Sequence, residues 1–123
     1  MGCYRGLTLR VLGKGSPAMG PGKAELIMRI RETGSISAAA RAMGMSYRRA
    51  WQLVEALNEA YREPVIATAI GGARGGGARV TPFGRRLLSS FRAMEHKASA
   101  AIAADLRRFN AHLRTAGKRR KAR

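Results

Sequence analysis

Cysteine and acidic residues are scarce in this chain of 123 residues, and it has no long apolar run. The single cysteine, Cys3, excludes an intramolecular disulfide and a cysteine-based zinc cluster. No apolar run approaches the roughly 20 residues of a transmembrane helix, and no signal-peptide pattern is present. These absences predict a cytoplasmic protein, and the length fits one domain with at most an appended helix or tail.

Residues arranged for catalysis are also missing. The two histidines, His96 and His112, fall in the last predicted helical stretch, away from any expected cleft. The sequence shows no paired carboxylates for acid–base chemistry and no metal-ligand spacing. We therefore expect neither an enzyme nor a bound cofactor or metal.

Positive charge dominates the composition, with 24 Lys and Arg against 7 Asp and Glu and a formal net charge of +17. Such an excess attracts polyanions and drives binding by releasing their counterions. The codon preference of a high-GC genome is the alternative source of a basic composition. However, no acid lies between Glu32 and Glu55 or between Glu63 and Glu95, which favours a nucleic-acid partner. The two gaps contain Arg41, Arg48, Arg49, Arg74, Arg79, Arg85, Arg86 and Arg92.

The first half of the chain predicts a short strand and three helices. Residues 7–12 alternate apolar and polar side chains, which is typical of a half-buried strand, and the glycines and prolines of residues 13–22 predict a loop. The expected helices run from Pro21 or Lys23 to Thr33, over residues 38–43 with Ser37 as N-cap, and over residues 47–61 with Ser46 as N-cap.

The second half predicts a hairpin followed by more helix. Residues 65–70 and 78–80 are expected to pair as strands across the glycine-rich residues 71–77. Those glycines lack the lysine and hydroxyl of a phosphate-binding loop, so they predict a flexible wing with Arg74 at its tip. Thr81 and Pro82 mark the start of a C-terminal helix.

Apolar residues follow at spacings of three and four along residues 82–113, as one helix or as two joined at a bend. A continuous helix would extend about 48 Å, more than so small a domain can cover by itself. Much of the 46% hydrophobic content is alanine, so the core is also thin and dimerisation would help it. The residues expected at the dimer interface are Leu87, Phe91, Met94, Ile102, Leu106 and Phe109.

The central motif, residues 35–51, has the pattern of a helix-turn-helix. Ala40 is small enough for two helices to cross closely, and Gly44 suits the left-handed residue of the sharp turn. An ordinary helical hairpin could show the same two residues, but the basic start of the third helix and the glycine hairpin favour DNA binding. The predicted fold is mainly α with a small β-wing: a winged helix-turn-helix with a long C-terminal dimerisation helix.

The third helix would then present its first residues to the major groove. Arg48 and Arg49 could each bind guanine bidentately or hold phosphates. Tyr47 could touch a thymine methyl or a phosphate, and Trp51 belongs mainly to the core. The full set expected to bind DNA is Ser37, Ser46, Tyr47, Arg48, Arg49, Gln52, Arg74 and Arg79.

Three stretches resemble the N-terminal domain of ModE, the molybdate-responsive bacterial regulator: residues 34–40, residues 45–51, and the wing with residues 81–84. The resemblance spans about residues 7–110, and its first part is also similar to the LysR-type winged helix. It implies a homodimer that recognises a palindromic operator. Regulators of this family carry C-terminal molybdate-binding β-barrels, which we expect this chain to lack, so we assign no molybdate site.

These observations divide the chain into a DNA-binding domain (7–81), a dimerisation helix (82–113) and a basic disordered tail (114–123). The expected partners are double-stranded DNA and a second copy, with no membrane, and a separate effector-sensing protein could supply the signal. Two alternatives stay open. One is an architectural protein that coats DNA without reading bases, and the other is an oxyanion-binding protein of molybdenum metabolism.

Overall fold

The computed structural model describes residues 6–15, 17–69 and 77–114. These residues form five helices and two small antiparallel sheets, which confirms the prediction of a mainly α fold with a small β-wing. In chain order the elements are β1 (Val11–Leu12), β2 (Pro17–Met19), α1 (Pro21–Thr33), α2 (Ile36–Ala42), α3 (Tyr47–Ala60), β3 (Ile66–Ala69), β4 (Gly77–Val80), α4 (Pro82–Ala101) and α5 (Ala103–Asn110).

Strong local signals fix both ends of α1 and the start of α3. Pro21 begins α1, and Gly34 ends it in the left-handed region with a φ of 69°. The Gly34 amide donates to the carbonyl of Ile30 at 2.8 Å, which satisfies a carbonyl of the last turn. At the start of α3, the amide of Arg49 donates to Ser46 Oγ at 3.0 Å, as expected of an N-cap.

The start of α2 differs from the expectation. Ser35 is its N-cap, and its Oγ accepts a hydrogen bond from the Ala38 amide at 3.0 Å. Ser37 lies inside the first turn, so its prediction as the cap is wrong. Ile36 explains the difference, because it is buried in the core as the first helical residue.

The predicted strand over residues 7–12 is also wrong for most of its length. Only Val11–Leu12 forms β1, and it pairs with Pro17–Met19 in a segment expected to be a loop. Leu7 and Leu9 are half-buried outside any strand, and Leu9 packs against the core. Pro17 is tolerated in β2 because a two-stranded sheet has only edge strands.

The core lies where α1, α2 and α3 meet the β3–β4 hairpin and the start of α4. The apolar faces of α1 and α3 are buried there. From α4 the core receives Gly84, Leu88 and Phe91, and Leu87 is partly buried beside it. The largest fully buried side chains are those of Met19, Leu26, Ile27, Ile30, Val54, Leu57, Val65 and Ile66.

The C-terminal helical stretch is two helices that meet at Ile102, whose φ of −110° and ψ of 14° are not helical. The alternative of two helices joined at a bend is therefore the observed one. No residue of α5 is buried. Among the described residues, no helix is both long and apolar enough to cross a membrane.

Candidate DNA-binding surface

A helix-turn-helix corner joins α2 and α3, as the sequence predicted. Ala40 is 2% exposed where the two helices approach, and Gly44 has a φ of 68° in the turn between them. The amide of Met45 donates to the carbonyl of Ala40 at 3.0 Å and closes the turn. A side chain with a Cβ at position 44 would strain the backbone, so the glycine there has a geometric reason.

The N-terminal half of α3 presents a polar, basic face. Its opposite face buries Ala50, Val54 and Leu57, which fixes the rotation of the helix on the core. Tyr47 is 54% exposed and meets Trp51 edge-to-face at 6.2 Å between ring centres. Trp51 is half-buried against the core, as expected. The exposed residues of this recognition face are Ser46, Tyr47, Arg48, Arg49 and Gln52.

Ser37 lies in the first turn of α2 and is half-buried. Its Oγ accepts a hydrogen bond from Arg41 Nη1 at 2.9 Å. The hydroxyl therefore orients an exposed guanidinium on α2, which makes Arg41 a candidate phosphate contact that we had not predicted. The i, i+4 spacing of the two residues on one helix was the available signal.

The β3–β4 hairpin forms the base of the wing, with Ile66 opposite Val80 and Ala69 opposite Gly77. Arg79 is exposed on β4, whereas Arg74 lies outside the described residues. The amide of Ala78 donates to the carbonyl of Gly34 at 3.0 Å, which fixes β4 to the end of α1.

Asn58 ties the wing to α3. Its Oδ1 accepts hydrogen bonds from the amides of Val65 at 2.8 Å and Ile66 at 3.0 Å. Its Nδ2 donates to the carbonyl of Ile66 at 3.0 Å. One side chain thus joins the recognition helix to the first strand of the wing.

Arg10 and Lys23 also lie near the recognition helix, although no sequence motif selects them. Together with Arg49 and Gln52 they line a cleft of about 390 Å³ between α3, the β1–β2 hairpin and the start of α1. We call it the flank cleft. These residues are far apart in sequence, so only the folded chain brings them together.

The residues expected at a dimer interface divide into two groups. Phe91 is 3% exposed within the chain's own core, and Leu87 packs beside it, so the structure gives both a role within one chain. Ile102 and Leu106 are half-buried, while Met94 is 44% and Phe109 65% exposed. Large apolar side chains are therefore exposed at Met94 on α4 and at Phe109 on α5.

No group of three or more His, Cys, Asp or Glu side chains that could hold a metal ion occurs within the ranges the structure describes.

The corner, the exposed basic helix and the adjoining hairpin define a winged helix-turn-helix module. The family described as bacterial regulatory helix-turn-helix protein, lysR family, matches residues 23–85, just over half of the chain. The chain belongs to this family.

Relatives confirm the resemblance to ModE. The chain is 44% identical over 93 residues to the molybdenum-pterin-binding protein MopB of Rhodobacter capsulatus, covering 76% of this chain and 33% of MopB. It is 33% identical over 85 residues to the molybdenum transport protein ModE of Azotobacter vinelandii, covering 69% of this chain and 32% of that protein. The chain is also 35% identical over 71 residues to the DNA-binding transcriptional dual regulator ModE of Escherichia coli, covering 58% of this chain and 27% of that protein.

The chain thus spans about a third of the length of these relatives. The crystal structure of a LysR family transcriptional regulator superposes on 76% of this chain and 30% of that one, with a TM-score of 0.53 at 17% identity. This likeness supports the winged helix-turn-helix fold.

Proposed function

We propose that this chain is a sequence-specific, double-stranded-DNA-binding regulator of transcription, which acts by binding and not by catalysis. The exposed basic face at the start of α3 is the observation that carries this function. A helix-turn-helix places that part of its second helix in the major groove, where each base pair presents a distinct hydrogen-bonding pattern. A DNA partner also implies a cytoplasmic location in a bacterium.

Two arginines on this face have the chemistry to read bases. Arg48 and Arg49 are exposed and form no ion pair among the described residues. A guanidinium that binds O6 and N7 of guanine contributes about 1–3 kcal/mol of discrimination. Gln52, one turn further along, can bind adenine in the same bidentate way. The position of the chain on the duplex would be set by contacts to the DNA backbone. The residues proposed for these contacts are Ser37, Ser46, Tyr47, Arg74 and Arg79.

We further propose a homodimer on a palindromic operator. Among the described residues the apolar side chains of Met94, Phe109 and Leu113 are exposed, and the last two are more than half exposed. A two-fold dimer would cover these side chains and place two recognition helices on successive half-sites.

The test is DNA affinity over a salt series. A preferred duplex is first enriched by the chain from a random-sequence pool and then compared with a scrambled duplex of equal length. With six to ten phosphate contacts, affinity should fall by ~10³–10⁵ between 50 and 200 mM salt. The preference for the selected duplex should persist at the higher salt, because base contacts do not depend on counterion release.

Two outcomes would contradict the proposal. Equal affinity for both duplexes would favour an architectural protein that coats DNA. Absence of binding to either duplex at low salt would exclude the DNA-binding function. An oxyanion-binding role predicts instead that molybdate raises the melting temperature of the chain.

A pair of variants separates base reading from net charge. Arg48→Gln should reduce the preference for the selected duplex, whereas Arg62→Gln should weaken binding to both duplexes slightly and equally. Arg62 is exposed beyond the opposite end of α3, so it provides the same loss of charge away from the recognition face.

A further inference from the structure

We infer that the flank cleft binds a phosphate group of the DNA backbone beside the bases that α3 contacts. The inference rests on the DNA-binding function proposed above and extends the contact surface to residues outside the helix-turn-helix. The cleft measures about 390 Å³, and its polar lining side chains are those of Arg10, Lys23, Arg49 and Gln52. Three of these four are cationic, and no acidic residue of the described chain lines the cleft.

Lys23 is already held in place at the cleft wall. Its Nζ donates to the carbonyl of Pro17 at 2.6 Å, which links the start of α1 to β2. An ammonium group has three N–H donors, so two stay available for an anion. A lysine held by the protein loses less rotamer freedom on binding than a free one, which favours a defined contact.

Arg10 lies across Gly20, where the absence of a side chain gives it room. A Cβ at Gly20 would come within 3.2 Å of Arg10 Nη1 and 3.4 Å of its Cγ. The glycine therefore lets the arginine lie close to the backbone at the edge of the cleft. A guanidinium offers paired N–H donors whose geometry matches two phosphate oxygens.

Continuity with the recognition face identifies the source of the phosphate as DNA. Arg49 and Gln52 belong both to the cleft and to the exposed face of α3. A duplex that places a backbone phosphate in the cleft would therefore have a groove beside α3. Binding of a free anion would not require the cleft to adjoin the recognition face, whereas binding of a DNA phosphate would.

Gly22 provides a test that leaves every cation in place. It lines the cleft, and a Cβ there would meet nothing within 4 Å. Gly22→Asp introduces a carboxylate, and Gly22→Asn introduces a neutral amide of the same size. The first turn of a helix favours negative charge, so the aspartate should not lower the melting temperature below that of the asparagine variant. We expect the aspartate to weaken binding of the selected duplex about tenfold more than the asparagine does.

A second pair of variants measures the phosphate contact itself. The double variant Arg10→Gln, Lys23→Gln should reduce the slope of log affinity against log salt by about 0.9, the value for one phosphate contact. Its preference for the selected over the scrambled duplex should be unchanged, since a phosphate carries no base information. The control is Arg62→Gln, Arg114→Gln, which removes two charges at exposed positions outside the cleft.

Neutral methylphosphonates, placed one at a time in the selected duplex, locate the contact. One position should weaken binding of the native chain and leave the Arg10→Gln, Lys23→Gln variant unaffected. If no position behaves in this way, or if the control loses as much slope, the inference is overturned while the preference of the native chain for the selected duplex still supports the proposed function.

Two further outcomes would also overturn the inference. If the native chain binds neither duplex, the inference and the proposed function fail together. If inorganic phosphate raises the melting temperature, and Gly22→Asp abolishes that rise without changing DNA affinity, the cleft binds a free anion instead of DNA.

Discussion

Tyr61 connects the end of α3 to the β1–β2 hairpin through a single hydroxyl. The hydroxyl donates to the carbonyl of Ala18 at 2.8 Å, and the ring meets Phe83 edge-to-face at 6.3 Å between centres. Burial raises the pKa of Tyr61 above its ordinary value of 10.0, because the phenolate would lose solvation. The stability of the fold should therefore depend on pH in the alkaline range through this phenol.

Stability should consequently fall above pH 10.0 in a way that depends on this residue. The folded chain holds the phenol proton more tightly than the unfolded chain, so the stabilisation is complete below the unfolded pKa and is lost as the pH rises through the folded one. Tyr61→Phe should lower the free energy of unfolding by about 1 kcal/mol at neutral pH. Urea unfolding across the alkaline range should show this difference shrinking as the pH rises. A constant difference would contradict the assignment.

Most of the recognition-face residues could be predicted one by one, because polar side chains at the start of a helix after a sharp turn have few alternatives. Ser46 is a cap and Trp51 is half-buried, both as expected. Arg10 and Lys23 could not be predicted in this way. Their proximity to Arg49 depends on how the first hairpin packs beside α3, and no local pattern encodes that distance.

At the scale of elements, two glycines in the first turns of helices have opposite surroundings. A Cβ at Gly84 of α4 would lie 2.5 Å from the carbonyl oxygen of Val65 and 2.9 Å from Cγ1 of Val80. A Cβ at Gly22 of α1 would meet nothing within 4 Å. Gly84 lets α4 pack closely against the wing, whereas the space beside Gly22 can hold a side chain.

Alanine substitutions at these two glycines should therefore change the free energy of unfolding in opposite directions. Gly84→Ala should destabilise the chain by about 1–3 kcal/mol, because a backbone carbonyl cannot move away as a flexible side chain can. Gly22→Ala should stabilise it by about 0.4–1 kcal/mol, since alanine restricts the unfolded chain more than glycine does. Chemical denaturation of both variants tests the pair, and equal effects would contradict the packing of α4 on Val65 and β4.

The two serines at the start of α2 offer a second matched pair. Ser35→Ala removes the side-chain acceptor for the Ala38 amide and should cost about 1 kcal/mol. Ser37→Ala removes only a contact to the exposed Arg41 and should change stability by less than about 0.5 kcal/mol. Thermal unfolding distinguishes them, and the reverse order would restore Ser37 as the cap.

The boundaries of the elements were predictable where a residue has one strong local preference. Pro21 and Gly34 bound α1 for that reason. Two serines precede the alanines of α2, and local preference alone does not choose between them; the burial of Ile36 does. The β1–β2 pairing was missed because two or three residues carry too little pattern to distinguish a strand from a loop.

At the scale of the whole molecule, the proposed homodimer rests on the exposed apolar side chains of Met94, Phe109 and Leu113. Phe109→Glu should raise the dissociation constant of a dimer by about 10²- to 10⁴-fold, because a two-fold dimer buries two copies of the side chain and each contributes roughly 1.5–3 kcal/mol. Ala104→Glu, also exposed on α5, is the matched control for the added carboxylate. Sedimentation velocity over a concentration series measures both. A native chain that stays monomeric throughout would contradict the proposed homodimer.

The link through Asn58 also has a consequence for the DNA. Because three hydrogen bonds attach the first strand of the wing to α3, the helix and the hairpin base should move as one body. The distance along the duplex between the bases beside α3 and the backbone beside the hairpin is then constant. One extra base pair between them would turn the second contact by about a tenth of a helical turn. Within each half-site of the proposed operator, the spacing between these two contacts should therefore be constant.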